Sequence, residues 1–129
     1  MAGMQCVVVT PESTVLDVEA TAIVVPMIDG ENGIGAGHAP MIGRLGYGEL
    51  RVTSGGNTSH YFVDGGFVQV AEDVVSVITN RAVPVNEIDK SAAEQQLSEA
   101  QSMSTKTVAE LDEKERLTNQ ARAQIRLAK

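Results

Sequence analysis

Val85-Asn86-Glu87-Ile88-Asp89-Lys90-Ser91-Ala92-Ala93-Glu94 is where this chain changes from one periodicity to another. From Ile88 to Lys129 there is no Gly and no Pro, and Ala, Glu, Gln, Leu, Lys and Arg dominate. These residue types lose least on entering a helix, so the segment reads as helical. Asn86 is the expected N-cap, with Asp89 placed to favour the helix start electrostatically. The polar stretch Ser102-Met103-Ser104-Thr105 interrupts the pattern, and Ser104 or Thr105 is the expected cap of a second helix ending near Leu127. Two helices joined by a few residues make an antiparallel hairpin. Its expected inner faces are Ala93, Leu97 and Ala100 against Val108, Leu111, Ala121, Ile125 and Ala128. At about 0.8 kcal/mol per buried CH₂, so alanine-rich a seam contributes only a few kcal/mol. Such a hairpin either opens at modest cost or stays permanently docked, and composition does not choose between the two.

Upstream of Asn86 the pattern is short apolar, β-branched runs separated by turn signals. The runs are Cys6–Val9, Thr14–Val18, Thr21–Met27, Glu49–Thr53, Ser59–Val63, Phe67–Val70 and Val74–Thr79. The breaks between them include Asp29-Gly30, Gly46-Tyr47-Gly48, Ser54-Gly55-Gly56-Asn57, Gly65-Gly66 and Glu72-Asp73. Short strands at this spacing, with no helix between them, predict an antiparallel sandwich or barrel. Gly65-Gly66 is expected to be a tight hairpin or a bulge. The fold class is therefore β + α: an N-terminal antiparallel β-sandwich over 1–86 and a C-terminal α-helical hairpin over 87–129.

Charge separates the same halves. The whole chain carries −7. Residues 1–87 hold 10 acids and 3 bases, and residues 88–129 hold 7 of each. An acidic sandwich excludes nucleic acid as the main partner. The last turns carry Arg116, Arg122, Arg126 and Lys129 with no acid among them. No apolar run is long enough to span a membrane, and the start of the chain does not read as a secretory signal. The lone Cys6 cannot form an internal disulfide and reads as a buried structural thiol in a reducing compartment.

Gly30-Glu31-Asn32-Gly33-Ile34-Gly35-Ala36-Gly37-His38-Ala39-Pro40 holds four glycines, far more than a plain connector needs, and reads as a shaped surface loop. No phosphate-cradling Gly-rich loop with Lys-Ser/Thr is present. His38 and His60 stand apart, without metal-ligand spacing, so no metal is expected. Neither has the companions of a catalytic set, and the chain does not read as an enzyme by itself.

Taken in order, these pieces resemble the epsilon subunit of the rotary, F-type ATP synthase. The Gly30–Pro40 segment matches the family's Gly-Glu-x-Gly-Ile-x-x-Gly-His-Ala-Pro loop. Tyr61-Phe62-Val63-Asp64-Gly65-Gly66-Phe67-Val68-Gln69-Val70 matches its second signature. The resemblance covers essentially the whole chain. It implies a non-catalytic, central-stalk subunit, binding gamma and the c ring and rotating with them in proton-driven ATP synthesis. It places the subunit at the cytoplasmic face of a bacterial plasma membrane, peripheral to it. Through the same resemblance Glu31 and its neighbours Gly33 and Gly37 are expected to turn toward the c ring, and His38 to lie near gamma. Arg116, Arg122, Arg126 and Lys129 match basic positions that meet the catalytic beta subunits when the hairpin extends and inhibits hydrolysis. Some bacterial members bind ATP in the folded hairpin through Ile/Leu-Asp-x-x-Arg-Ala. Here that segment is Ile88-Asp89-Lys90-Ser91-Ala92-Ala93, with Ala92 where the motif has Arg. The loss of a bidentate phosphate ligand predicts a degenerate site of Ile88, Asp89, Ala93, Arg122 and Arg126, with ATP at most a weak regulatory ligand and no other cofactor. The competing expectation is a free-standing sandwich that binds a small ligand or peptide, with the hairpin as a dimerising element.

Overall fold

The computed structural model describes residues 3–128, so Lys129 lies outside the described residues. The chain separates after Pro84 into two compact units. The first holds β1 (Met4–Val9), β2 (Thr14–Ala20), β3 (Ala22–Met27), β4 (Gly30–Gly35), β5 (Met41–Ser54), β6 (Asn57–Ala71), β7 (Val74–Ile78) and β8 (Ala82–Pro84). They are hydrogen-bonded in the order β2-β1-β7-β6-β5-β3-β4, with β8 also on β6.

Two-residue turns set much of the register. Ser54 faces Asn57 across Gly55-Gly56, and Ala71 faces Val74 across Glu72-Asp73. All four turn residues have positive φ, the backbone that closes a tight hairpin with the right twist. The sandwich is antiparallel except between β1 and β7, which run parallel. Those two strands are remote in sequence, so no hairpin turn dictates their relative direction.

The expected breaks at Gly46-Tyr47-Gly48 and Gly65-Gly66 do not end strands. β5 and β6 run through them and pair along almost their whole length. What changes at Gly65-Gly66 is the neighbour on the other side. Tyr61–Val63 pair with β8, and Phe67–Ala71 pair with β7. The two long strands thereby belong to both layers, and the sheet folds over at the glycines. At the fold, side chains replace missing ladder bonds. The Asp64 N–H donates to the Thr79 hydroxyl and to the Arg81 carbonyl, each at 3.1 Å. The Asn80 amide donates to the Asp64 carbonyl, also at 3.1 Å. Gly66 has φ +111, and a Cβ there would lie 1.9 Å from the Ile78 carbonyl oxygen.

Between the layers the inward-facing residues alternate along each strand. Cys6 and Val8, Ile23 and Val25, Leu50 and Val52, Val68 and Val70, and Val75 and Val77 have almost no exposed surface. Cys6 is the buried structural thiol expected. Burial first, and then the negative charge of Asp17, pushes its thiol from 9.0 up to about 11.

In the second unit a 3₁₀ turn (Val85–Glu87) precedes α1 (Lys90–Gln101) and α2 (Val108–Leu127). Both caps differ from expectation. Asn86 lies in the 3₁₀ turn, and Asp89 caps α1, its carboxylate accepting the Ala92 N–H at 3.1 Å. Thr107, not Ser104 or Thr105, caps α2 in a reciprocal capping box with Glu110. Val108 and Leu111 are not in the seam; they are 76% and 43% exposed. Lys114 already reaches the carbonyl of Gln101, the last residue of α1, so the first turns of α2 overshoot their partner. Ala93, Ala100 and Ala121 are buried as expected, joined by Ala123 and Gln120.

Two outcomes follow from this packing. Gly66→Ala combines a left-handed backbone penalty of about 1–2 kcal/mol with an overpacking cost of about 1–3 kcal/mol. Urea denaturation should therefore show a loss of about 3 kcal/mol or complete failure to fold, whereas Gly33→Ala, with open space around it, stays within about 1 kcal/mol. For Cys6 the sign is that of an acid whose folded pKa is raised. Below pH 9 both states are protonated; between pH 9 and 11 only the unfolded thiol ionises, so stability falls as pH rises. The fall is about 1.4 kcal/mol per pH unit and should be absent in Cys6→Ala, measured by denaturation at stepped pH.

Candidate functional site

The Gly-rich segment is not one loop. Gly30–Gly35 form β4, the edge strand, paired with β3. Only the residues between β4 and β5 make the turn that carries Gly37 and His38. Four strand steps of about 3.3 Å carry the chain roughly 13 Å from Glu31 to Gly35, where the His38 N–H bonds back to the Gly35 carbonyl at 3.2 Å, so the structure divides these expected neighbours between the two ends of β4.

At the start of β4, Glu31 belongs to a charged ladder across the outer face. Arg51 of β5 reaches over β3 to it, with Nη1 3.0 Å from Glu31 Oε2 and Nη2 3.4 Å from Oε1. The same Nη1 donates to Glu49 Oε1 at 3.0 Å, and Glu49 Oε2 lies 3.1 Å from His60 Nδ1. Register explains the cluster: Arg51 directly faces His60, and Glu49 sits two residues along on the same face. The hydrogen bonds to Glu31, then to Glu49, push the Arg51 guanidinium above its already high range. Composition alone does not reveal Arg51, Glu49 and His60 as a set.

At the far end of β4, Gly37 has φ +79 and its N–H donates to Asp73 Oδ1 at 2.7 Å. The Asp73 carbonyl in turn accepts the Gln5 N–H at 2.8 Å. Asp73 thus ties the His38 turn to the β6–β7 turn and to β1. His38 is half-buried, and its Nδ1 lies 2.7 Å from the Ala39 carbonyl, which makes that nitrogen the donor. Gly33 is exposed in β4 and close to nothing.

A third feature was not expected. Phe67 and Ile78, cross-strand partners on β6 and β7, are 51% and 52% exposed, and Ile42 on β5 is exposed on the same face. Contiguous apolar surface of this kind marks an interaction site more often than scattered exposed side chains do.

In the hairpin, Gln96 crosses the alanine seam. Its amide donates to the Leu117 carbonyl at 2.8 Å and to Gln120 Oε1 at 3.2 Å. Arg116 is held by Glu113 at 2.5 Å. Arg122 and Arg126 are exposed and make no ion pair among the described residues. Of the degenerate nucleotide site, Asp89 is occupied as a cap and Ala93 is buried. Among the described residues no hydrogen bond or ion pair joins Ile88, Asp89 or Ala93 to Arg122 or Arg126. No helix among them is long and apolar enough to cross a membrane.

Residues 3–85 match the beta-sandwich domain of the ATP synthase Delta/Epsilon chain. Over 127 residues the chain is 48% identical to an ATP synthase epsilon chain of Rhodopirellula baltica, covering 98% of this chain and 99% of that one. An epsilon chain of Solibacter usitatus is 38% identical over 94% of this chain and 90% of its own length. Among solved structures, a chain of the Euglena gracilis mitochondrial ATP synthase, in an assembly of OSCP, F1 and c-ring, superposes with a TM-score of 0.84. It is 28% identical and spans 95% of this chain and 79% of its own. A chain from the central stalk and c-ring of the Tetrahymena thermophila enzyme shares the fold, with a TM-score of 0.77 at 14% identity.

The tether at Asp73 yields a direct test. Asp73→Ala removes an acceptor and places Ala at φ +60, so stability falls by about 1–2 kcal/mol. Amide exchange at Gly37 quickens about fivefold or more, while Asp73→Asn, which keeps an acceptor and tolerates this backbone, retains most of the protection.

Proposed function

The chain belongs to the ATP synthase epsilon-chain family, and we propose that it is the central-stalk subunit of a rotary, proton-transporting ATP synthase. It joins gamma to the c ring and catalyses nothing itself; the catalytic sites are those of the beta subunits. The observation that carries this reading is the likeness over 98% of this chain and 99% of its Rhodopirellula relative, which includes the hairpin as well as the sandwich. The sandwich is the docking body. Glu31 at one end of β4 faces the c ring, while the His38 turn and the exposed Phe67–Ile78 face contribute the surface toward gamma. As part of that assembly the chain sits at the cytoplasmic face of the bacterial plasma membrane without entering it.

The hairpin is the regulatory element. Its seam is made of small side chains and one glutamine rung, so opening it forfeits little apolar burial. Extended, it brings Arg122 and Arg126 to the catalytic beta subunits and restrains ATP hydrolysis. These two are one turn apart on one face and, among the described residues, have no ion-pair partner to give up. ATP is at most a weak ligand of the folded hairpin, because Ala92 lacks the guanidinium a phosphate needs.

The test is hydrolysis by the cognate catalytic assembly carrying either this chain or its Arg122→Glu/Arg126→Glu variant. Several-fold faster hydrolysis with the variant, at equal occupancy of the assembly, is the expected result. Equal rates would remove the inhibitory role and leave the coupling role; failure of the unaltered chain to bind would remove the stalk reading itself.

A further inference from the structure

We propose that Arg51 is a positioning residue that fixes the Glu31 carboxylate for the c ring, so that the contact is made by a prearranged ladder and not by Glu31 alone. The inference rests on the reading that Glu31 faces the c ring.

Glu31 stands on the edge strand and is itself half exposed, 53% by side chain. Left alone, a glutamate there samples many rotamers and loses that freedom when a partner binds. Here both its oxygens lie on one guanidinium in a fork, the geometry that sets a carboxylate's plane as well as its position. Lysine, a point charge on a flexible stem, cannot do the same.

The guanidinium is itself fixed. Glu49 holds it from the other side and is in turn engaged by His60, so the order of restraint runs from the centre of the sheet outward: His60 and Glu49, then Arg51, then Glu31. To make that contact Arg51 spans two strand spacings, roughly 10 Å, passing over β3. The outermost pair, Arg51–Glu31, lies at the surface, where an ion pair adds little to stability, so folding alone does not account for carrying the series out to Glu31. A surface that must meet its partner in one fixed geometry does.

The experiment uses the full chain. Binding is measured to the complete assembly with its c ring and, separately, to the catalytic part containing gamma but no c ring. The variants are Glu31→Gln, Arg51→Met, Arg51→Lys and the Glu31→Gln/Arg51→Met pair. Arg51→Met should weaken the c-ring-dependent part of binding about tenfold, with Arg51→Lys intermediate and gamma binding unchanged. The double variant should lose no more than the worse single one, since both changes act through one carboxylate.

If Glu31→Gln weakens c-ring binding while both Arg51 variants leave it intact, the positioning role is overturned and the interface reading stands. Fully additive losses likewise overturn it. If Glu31→Gln has no effect while the chain still assembles, the interface reading fails and the proposal fails with it. Should Arg51→Met lower the melting temperature of the isolated chain, Arg51→Lys carries the same test.

Discussion

At Gly66 the backbone of β6 passes so close to that of β7 that no side chain fits between them, and the two-layered form of the sandwich depends on this approach. β5 and β6 are single long strands that serve both layers. Such strands must bend without losing their partners, and a bend in a ladder leaves N–H and C=O groups unpaired in a dry interior. The chain meets both demands in one place. Glycine supplies the conformation, and Thr79 and Asn80 supply the bonds that β7 and β8 do not provide where one ends and the other begins. The core on either side is ordinary Val and Ile packing, tolerant of exchange; the crossing is not.

The helical unit is stabilised differently. Among the described residues its helices contain no glycine, and the positions buried in them are alanines and one glutamine. Good capping at Asp89 and Thr107 holds each helix in shape without strengthening the contact between them. Local helical order and weak pairing are therefore separable here. A seam of leucines would bind the two helices more tightly than these alanines do.

Much of this was legible in the residues. The switch of periodicity near Asn86 gave the β + α order, and the paired turn residues at Gly55-Gly56 and Glu72-Asp73 fixed two hairpins. The first of these turns, taken as a two-residue hairpin, already puts Arg51 opposite His60 with Glu49 on the same face, so half of the charged ladder followed from register. The other half did not. Glu31 meets Arg51 only because β3 and β4 lie beyond β5 in the sheet, an order set by long-range pairing that local pattern does not encode. The Gly-rich segment misled for a related reason. Glycine density suggests a loop, yet Gly33 and Gly35 sit in an edge strand where the lack of a side chain is tolerated, not required. The α2 cap differs for another reason: Thr107-Val108-Ala109-Glu110 fits the Ser/Thr-x-x-Glu signature, whereas Ser104 and Thr105 have no Glu three residues on.

The division of β4 into two working ends bears on how one short motif could serve two neighbours. Glu31 is restrained through side chains on β5 and β6, while the His38 turn is restrained through Asp73 on the β6–β7 turn and so through β1. The two routes of restraint share the sheet but no side chain. A change at one end leaves the other in place, although both lie within eleven consecutive residues, Gly30 to Pro40. A flexible glycine-rich loop would couple them, because any shift at one end would move the other. A strand between them keeps the two ends independent, and β4 being a strand is what separates the two restraints.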